Sequence, residues 1–257
     1  MASFHQLKSY LTYWFLNVDE HSLHSPFFYD FYTKVVKAAN EPVAVAETLR
    51  HNLLNSNLTI TVNDLGAGSV LNSPTRAVKD IARTSLSTQK FSALYARTLA
   101  YFQCKQVLEL GTSLGINTLY LAHTNNTHVT TFEGASTIAE IAKDTFRFSN
   151  ISNVRLIEGD ITTTLPYYLR NTHKIDFAFV DANHRYEAVI RNFELLLDAS
   201  HEKTILIFDD IHLNPEMEKA WAEMKANELV YATADLYRCG FIFLDPSLNR
   251  QHWILRF

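Results

Sequence analysis

Six acids fall at or just after the ends of short apolar runs: Glu109, Glu133, Asp160, Asp181 and the pair Asp209-Asp210. Carboxylates accept hydrogen bonds from hydroxyls and amines and attract cations. A row of them suits a ligand that carries hydroxyls and positive charge, and it repels a phosphate. The densest stretch is Gln106 to Ala122, QVLELGTSLGINTLYLA, where an apolar run carrying Glu109 turns through Gly111, Thr112, Ser113 and Gly115 into a helical pattern. The chain has only seven glycines, so two in one turn mark it out. In an open α/β sheet a strand–glycine turn–helix unit lies at the carboxyl end of a strand, where ligands bind. Glu133, followed by Gly134, stands 22 residues after Gly111, where an acid can accept both hydroxyls of a ribose. Asp160 after Gly159 is placed to accept from an exocyclic adenine amine.

Two nucleotide-like ligands compete for such a turn. A dinucleotide needs its pyrophosphate held on backbone amides, normally through G-x-G-x-x-G. Here the turn is G-T-S-L-G, with acids around it. S-adenosylmethionine has no phosphate and carries a sulfonium and an ammonium, which acids complement. A second glycine-rich stretch, Asp64-Leu-Gly66-Ala-Gly68-Ser, has no acid-ended strand downstream at the expected distance and reads as a structural turn.

These residues need elements to hold them. From Phe91 onward strands alternate with helices: the candidate strands are 106–110, 128–133, 153–157, 175–180 and 204–208. Thr137 and Glu140 have the form of a capping box, and Asn214-Pro215 that of a helix start. Leu229–Tyr237 and Gly240–Asp245 read as a hairpin, and His252–Phe257 as a candidate for one further strand. The expected fold is therefore α/β, a Rossmann-like seven-stranded mixed sheet of five parallel βα units and a terminal antiparallel hairpin. Residues 1–90 precede it as a mostly helical extension, leaving 91–257 as the ligand-binding domain. In the extension Leu7, Tyr10, Leu11, Trp14, Phe15 and Val18 form a helical stripe expected to pack on the main domain, the alternatives being a dimer contact or a lid over a substrate pocket. His21 and His24 read as capping or packing groups.

Composition narrows the class. The chain has 257 residues, 47% hydrophobic and 19% charged, with a formal net charge of −4. That is ordinary for a soluble globular protein and speaks against a general nucleic-acid binder. Cys104 and Cys239 stand alone, which fits buried thiols in a reducing, cytoplasmic setting. No apolar run approaches the ~20 residues of a membrane span.

Taken together, VLELGTSLGINTLYLA, TTFEG, IEGDITTTLP, FAFVDANHRY and ILIFDDIH resemble class I S-adenosylmethionine-dependent methyltransferases, most of all O-methyltransferases of the catechol and caffeoyl-CoA type. The resemblance covers about residues 90–245, and HSPFFYDFY is similar to a group of uncharacterised bacterial methyltransferase-like proteins. It implies that Glu109, Gly111 and Ser113 line the methionine part, Glu133 the ribose and Asp160 the adenine. It implies O-methylation of a small-molecule acceptor. It also implies a divalent cation such as Mg²⁺ on Asp181, Asp209 and Asp210, and a base at His184. Two departures from that pattern matter: Asp210 stands where the family has Asn, and His184 where it has Lys. An unperturbed histidine, with pKa ~6.5, can accept a proton near neutral pH. His212 offers a second imidazole for a mixed His/carboxylate metal site.

Overall fold

The computed structural model describes residues 4–62, 75–172 and 174–257. The glycine-rich stretch beginning at Asp64 lies outside them. In chain order the elements are α1 (Phe4–Leu16), a 3-10 turn, α2 (Pro26–Phe31) running into a π-turn (Tyr32–Val36), α3 (Ala44–Leu54), β1 (Thr59–Thr61), β2 (Thr75–Ala77), α4 (Val78–Ser85) and α5 (Gln89–Phe102). The alternating part follows as β3 (Gln106–Leu110), α6 (Ile116–Ala122), β4 (His128–Glu133), α7 (Ser136–Ser149), β5 (Val154–Glu158), α8 (Ile161–Arg170), β6 (Ile175–Val180), α9 (Tyr186–Asp198) and β7 (Ser200–Asp209). The chain then adds α10 (Pro215–Ala226), β8 (Ala232–Asp235), β9 (Cys239–Phe243) and β10 (Gln251–Ile254). The fold is α/β with a mixed central sheet of mostly parallel strands. That sheet has eight strands rather than seven, because Gln251–Ile254 pairs in parallel with β8.

Packing groups the chain into two units, Ala39–His173 and Met1–Ala38 with Lys174–Phe257. In the first, β3, β4 and β5 pair in parallel. Behind the glycine turn α6 is buried along its whole length. Ile116, Leu119 and Tyr120 of α6 pack with Ala46 of α3 and Ala93 of α5. The Tyr120 hydroxyl donates to Glu47 Oε1 at 2.7 Å. Helices α3 and α5 therefore shore up the helix that follows the turn. The capping box does not form: α7 starts at Ser136, Thr137 donates to the Thr61 carbonyl at 2.9 Å, and Glu140 pairs with Lys143. The residue before the helix is Ala135, whose amide donates to Glu133 Oε1 at 2.9 Å.

In the second unit β6 and β7 are parallel, β9 runs antiparallel to both β7 and β8, and β10 lies beside β8. Phe28 and Phe31 of α2 are fully buried, Phe31 against Phe241 and Phe243 of β9 and Phe28 against Trp253 of β10. Asn214 caps α10 by accepting from the Met217 amide at 2.9 Å, and Pro215 takes the first helical position. Cys104 and Cys239 are both buried, and neither is in a disulfide. His21 and His24 are exposed rather than packed.

Helix α1 departs most from its sequence pattern. Its buried residues are Ser9 and Tyr13, and the expected apolar stripe faces outward. The helix is held by polar groups and by the rings of Tyr10 and Tyr13 against Tyr237. Tyr13 donates to the Leu255 carbonyl at 2.8 Å and accepts from the Phe257 amide at 3.1 Å. Ser9 donates to Glu218, and the Tyr237 hydroxyl donates to the Gln6 carbonyl at 3.0 Å. No helix among the described residues is long and apolar enough to cross a membrane.

Candidate functional site

The glycine turn is built by backbone conformations that its residues accept unequally. Gly111 and Gly115 take φ of +104° and +82°, and Ser113, with a side chain, sits at +48°. A Cβ on Gly115 would lie 2.7 Å from the Phe146 ring, so only glycine lets α6 start there. Two amides, Gly111 and Thr112, donate to the Phe132 carbonyl at 3.1 and 3.0 Å and fix the turn to the end of β4.

Glu109 lies under this turn with no exposure. Its Oε1 accepts from Asn117 Nδ2 at 2.9 Å, and its Oε2 from the hydroxyls of Thr118 and, at 2.7 Å, Thr131. Thr131 in turn bonds Thr112 across 2.6 Å. Burial pushes the carboxyl up to about 7, although its three hydrogen bonds oppose the shift. Glu109 thus links β3, β4, the turn and α6. Asn117, Thr118 and Thr131 are the residues that sequence reasoning passes over. Their signal is faint but physical: polar groups inside apolar runs imply a buried partner. The Asn117 Oδ1 atom is buried with no donor.

Glu133, at the end of β4, accepts from the Ser113 amide at 2.9 Å through Oε2 and from the Ala135 amide through Oε1. Gly134 beside it is half-buried. Asp160 is exposed and caps α8, its Oδ1 accepting from the Thr162 amide at 2.8 Å, with Gly159 before it at φ +120°.

The second unit brings together Asp181, His184 and Asp210, whose ligand-type atoms lie within 4.8 Å of one another. His184 Nε2 is 3.7 Å from Asp181 Oδ1 and 3.9 Å from Asp210 Oδ2. Three features present the group: Asn183 at φ +51°, Asp210 at φ +53°, and Asn214, which donates to the His184 carbonyl at 3.3 Å. Asp209 does not join them. Its carboxylate has no exposure and pairs with Arg238 through Nε and Nη2. His212 is also engaged elsewhere, with Nδ1 2.9 Å from Glu218 and Nε2 2.9 Å from Asp235, stacked on Tyr237. Burial would lower His212, but the two carboxylates outweigh it and hold the imidazole above its usual value.

Residues 108–211 match the family model described as a methyltransferase domain. The chain has the class I methyltransferase fold. Its sheet and helices superpose on an O-methyltransferase from Bacillus cereus solved with S-adenosylhomocysteine, at 18% identity and a TM-score of 0.54, covering 62% of this chain and 83% of that one. They likewise match the O-methyltransferase TomG from Streptomyces achromogenes, solved with S-adenosylmethionine, at 17% identity and a TM-score of 0.56 over 63% and 82%. A putative O-methyltransferase from Klebsiella pneumoniae reaches further, at 16% identity and a TM-score of 0.58 over 84% of this chain and 96% of that one. No curated protein matches the chain in sequence. In a methyltransferase fold the turn after β3 is the place to test for S-adenosylmethionine, and its chemistry fits. Asn117 Oδ1 is a buried acceptor awaiting a donor such as an ammonium, and the surrounding acids suit a cation.

Proposed function

We propose that this protein transfers the methyl group of S-adenosylmethionine to an oxygen of a small-molecule acceptor. The observation that carries the reading is the acid-flanked turn. Glu133 reaches the Ser113 amide from the strand end that would face a ribose, and the turn lacks the third glycine of a pyrophosphate cradle. Glu109 and the Thr131–Thr112 pair hold the turn in shape, Glu133 takes the ribose hydroxyls, and Asp160 takes the adenine amine. Methyl transfer is a direct displacement at the sulfonium carbon, with orientation as the main contribution. It needs no covalent nucleophile, which agrees with both cysteines being buried.

The acceptor must lose a proton. His184 Nε2 is the proton acceptor we assign, 3.7 Å from Asp181 Oδ1 and 3.9 Å from Asp210 Oδ2. The same two carboxylates fit a divalent cation, which would supply charge neutralisation for an acceptor oxygen. The family pattern of Asp, Asp and Asn offers two carboxylates. Here Arg238 neutralises Asp209, and Asp210 restores the count.

Titration calorimetry with S-adenosylhomocysteine and with NAD tests the reading. The expected result is heat from the first, lost in Glu133→Ala, and none from the second. Binding of NAD without binding of S-adenosylhomocysteine would overturn it.

A further inference from the structure

Helix α1 is turned inside out for a surface helix. Its inward face is held by the hydroxyls of Ser9 and Tyr13 and the backbone of Gln6, while Phe4, Leu7, Leu11, Trp14 and Phe15 point away from the protein, 85%, 53%, 47%, 60% and 73% exposed. At 100° per residue these five side chains fall within one narrow stripe. Phe4, Leu7, Leu11 and Trp14 repeat at spacings of three, four and three, the seam by which one helix packs against another. By the sizes of such side chains the stripe leaves roughly 600 Å² of apolar surface in water, at the upper limit for a monomer. One side of a standard protein interface needs ~800 Å², so the seam with its flanks supplies most of one.

We propose that α1 is a homodimer interface, its seam packed against the same seam of a second copy, antiparallel across a two-fold axis. The four seam positions carry no charge, and Lys8 at their flank is exposed, where its ammonium stays in water at the rim. An isologous contact requires one patch that complements itself, which aromatic knobs at the two ends (Phe4 and Trp14) and leucines between them (Leu7 and Leu11) provide. A lipid surface is the poorer occupant. Helices that lie on membranes carry Lys and Arg along the polar face. In α1 the polar face is already bonded to the protein, and Lys8 is its sole lysine or arginine. The inference does not depend on the methyltransferase reading.

Sedimentation velocity on the full chain, from nanomolar to tens of micromolar, tests it. The wild type is expected as a dimer at micromolar concentration. Leu11→Glu should weaken association about a hundredfold by burying an unpaired charge, and Leu7→Gln more mildly, both with wild-type circular dichroism and melting. A wild type that stays monomeric overturns the proposal, as do folded variants that dimerise as before. Flotation of monomeric wild type with phosphatidylserine vesicles would assign the stripe to a lipid surface instead.

Discussion

Arg238 closes on Asp209 from the far side of a strand pairing, with Nη2 3.0 Å and Nε 3.2 Å from the same carboxylate oxygen. Asp209 ends β7, opposite Cys239 at the start of β9, so the arginine arrives from the neighbouring strand's lead-in. The consequence falls on the next residue. With Asp209 drawn into the protein, Asp210 turns through positive φ and is the acid that reaches His184.

Removing the arginine should be costly. Arg238→Ala strands a carboxylate with no exposure, and breaking such pairs costs about 3 kcal/mol. Urea unfolding monitored by circular dichroism reads this directly. A loss below ~1 kcal/mol, the ceiling for exposed pairs, would mean that the pair does not hold β7 to β9.

The two adjacent acids should differ in cation binding. Asp210→Asn and Asp181→Asn are each expected to weaken Mn²⁺ binding by about tenfold or more, ~1.4 kcal/mol, while Asp209→Asn leaves it unchanged. Electron paramagnetic resonance of free Mn²⁺ counts the bound ion. Equal effects from Asp209 and Asp210 would return Asp209 to the site.

His184→Ala should lower kcat by about 10²–10⁴-fold, with S-adenosylhomocysteine and Mn²⁺ affinity kept. The lone pair on Nε2 serves a proton or a metal, not both. Loss of Mn²⁺ affinity in this variant would make His184 a ligand rather than the base.

Glu109 should make stability depend on pH. Its folded value of about 7 lies above the ordinary 4.5, so the folded chain keeps a proton that the unfolded chain has released. Stability from this group is full below the lower value and falls as pH rises to the upper one, by roughly 3 kcal/mol at most. Urea midpoints at either end of that window should converge in Glu109→Gln. A wild-type slope that survives in the variant would locate the titrating group elsewhere.

Gly115→Ala should damage the turn. The left-handed backbone costs a non-glycine residue about 1–2 kcal/mol, and the Phe146 ring must also move. Weaker S-adenosylhomocysteine binding together with a lower Tm is expected; unchanged affinity would show that the turn bears no cofactor.

The sheet was readable because strands covered on both faces are continuous apolar runs. Gln106–Leu110 and Ile175–Val180 sit where those runs lie, while His128–Glu133 is buried with Thr130 and Thr131 in its middle. The adjacency of Asp181 and His184 was readable too, because the two are three residues apart. What distance along the chain hides was not. Arg238 stands 29 residues from its partner, and no local pattern separates Asp209 from Asp210. The stripe on α1 gave the helix but not its orientation, since periodicity reports that one face is apolar and is silent on what covers it. The capping box failed because α7 starts at Ser136, which puts Thr137 inside the first turn instead of before it.

The unit formed by Met1–Ala38 and Lys174–Phe257 has a further consequence, for synthesis on the ribosome. Val18 pairs with Leu255, and Phe28 and Phe31 bury against strands near the end of the chain. Residues 18–31 therefore wait for strands that are made long after them. Translation at about 5–20 residues per second leaves this aromatic segment without its partners for roughly ten seconds or more. Ala39–His173 can complete its own contacts meanwhile. Nascent chains of this protein should therefore engage chaperones through the α1–α2 segment until β9 and β10 emerge.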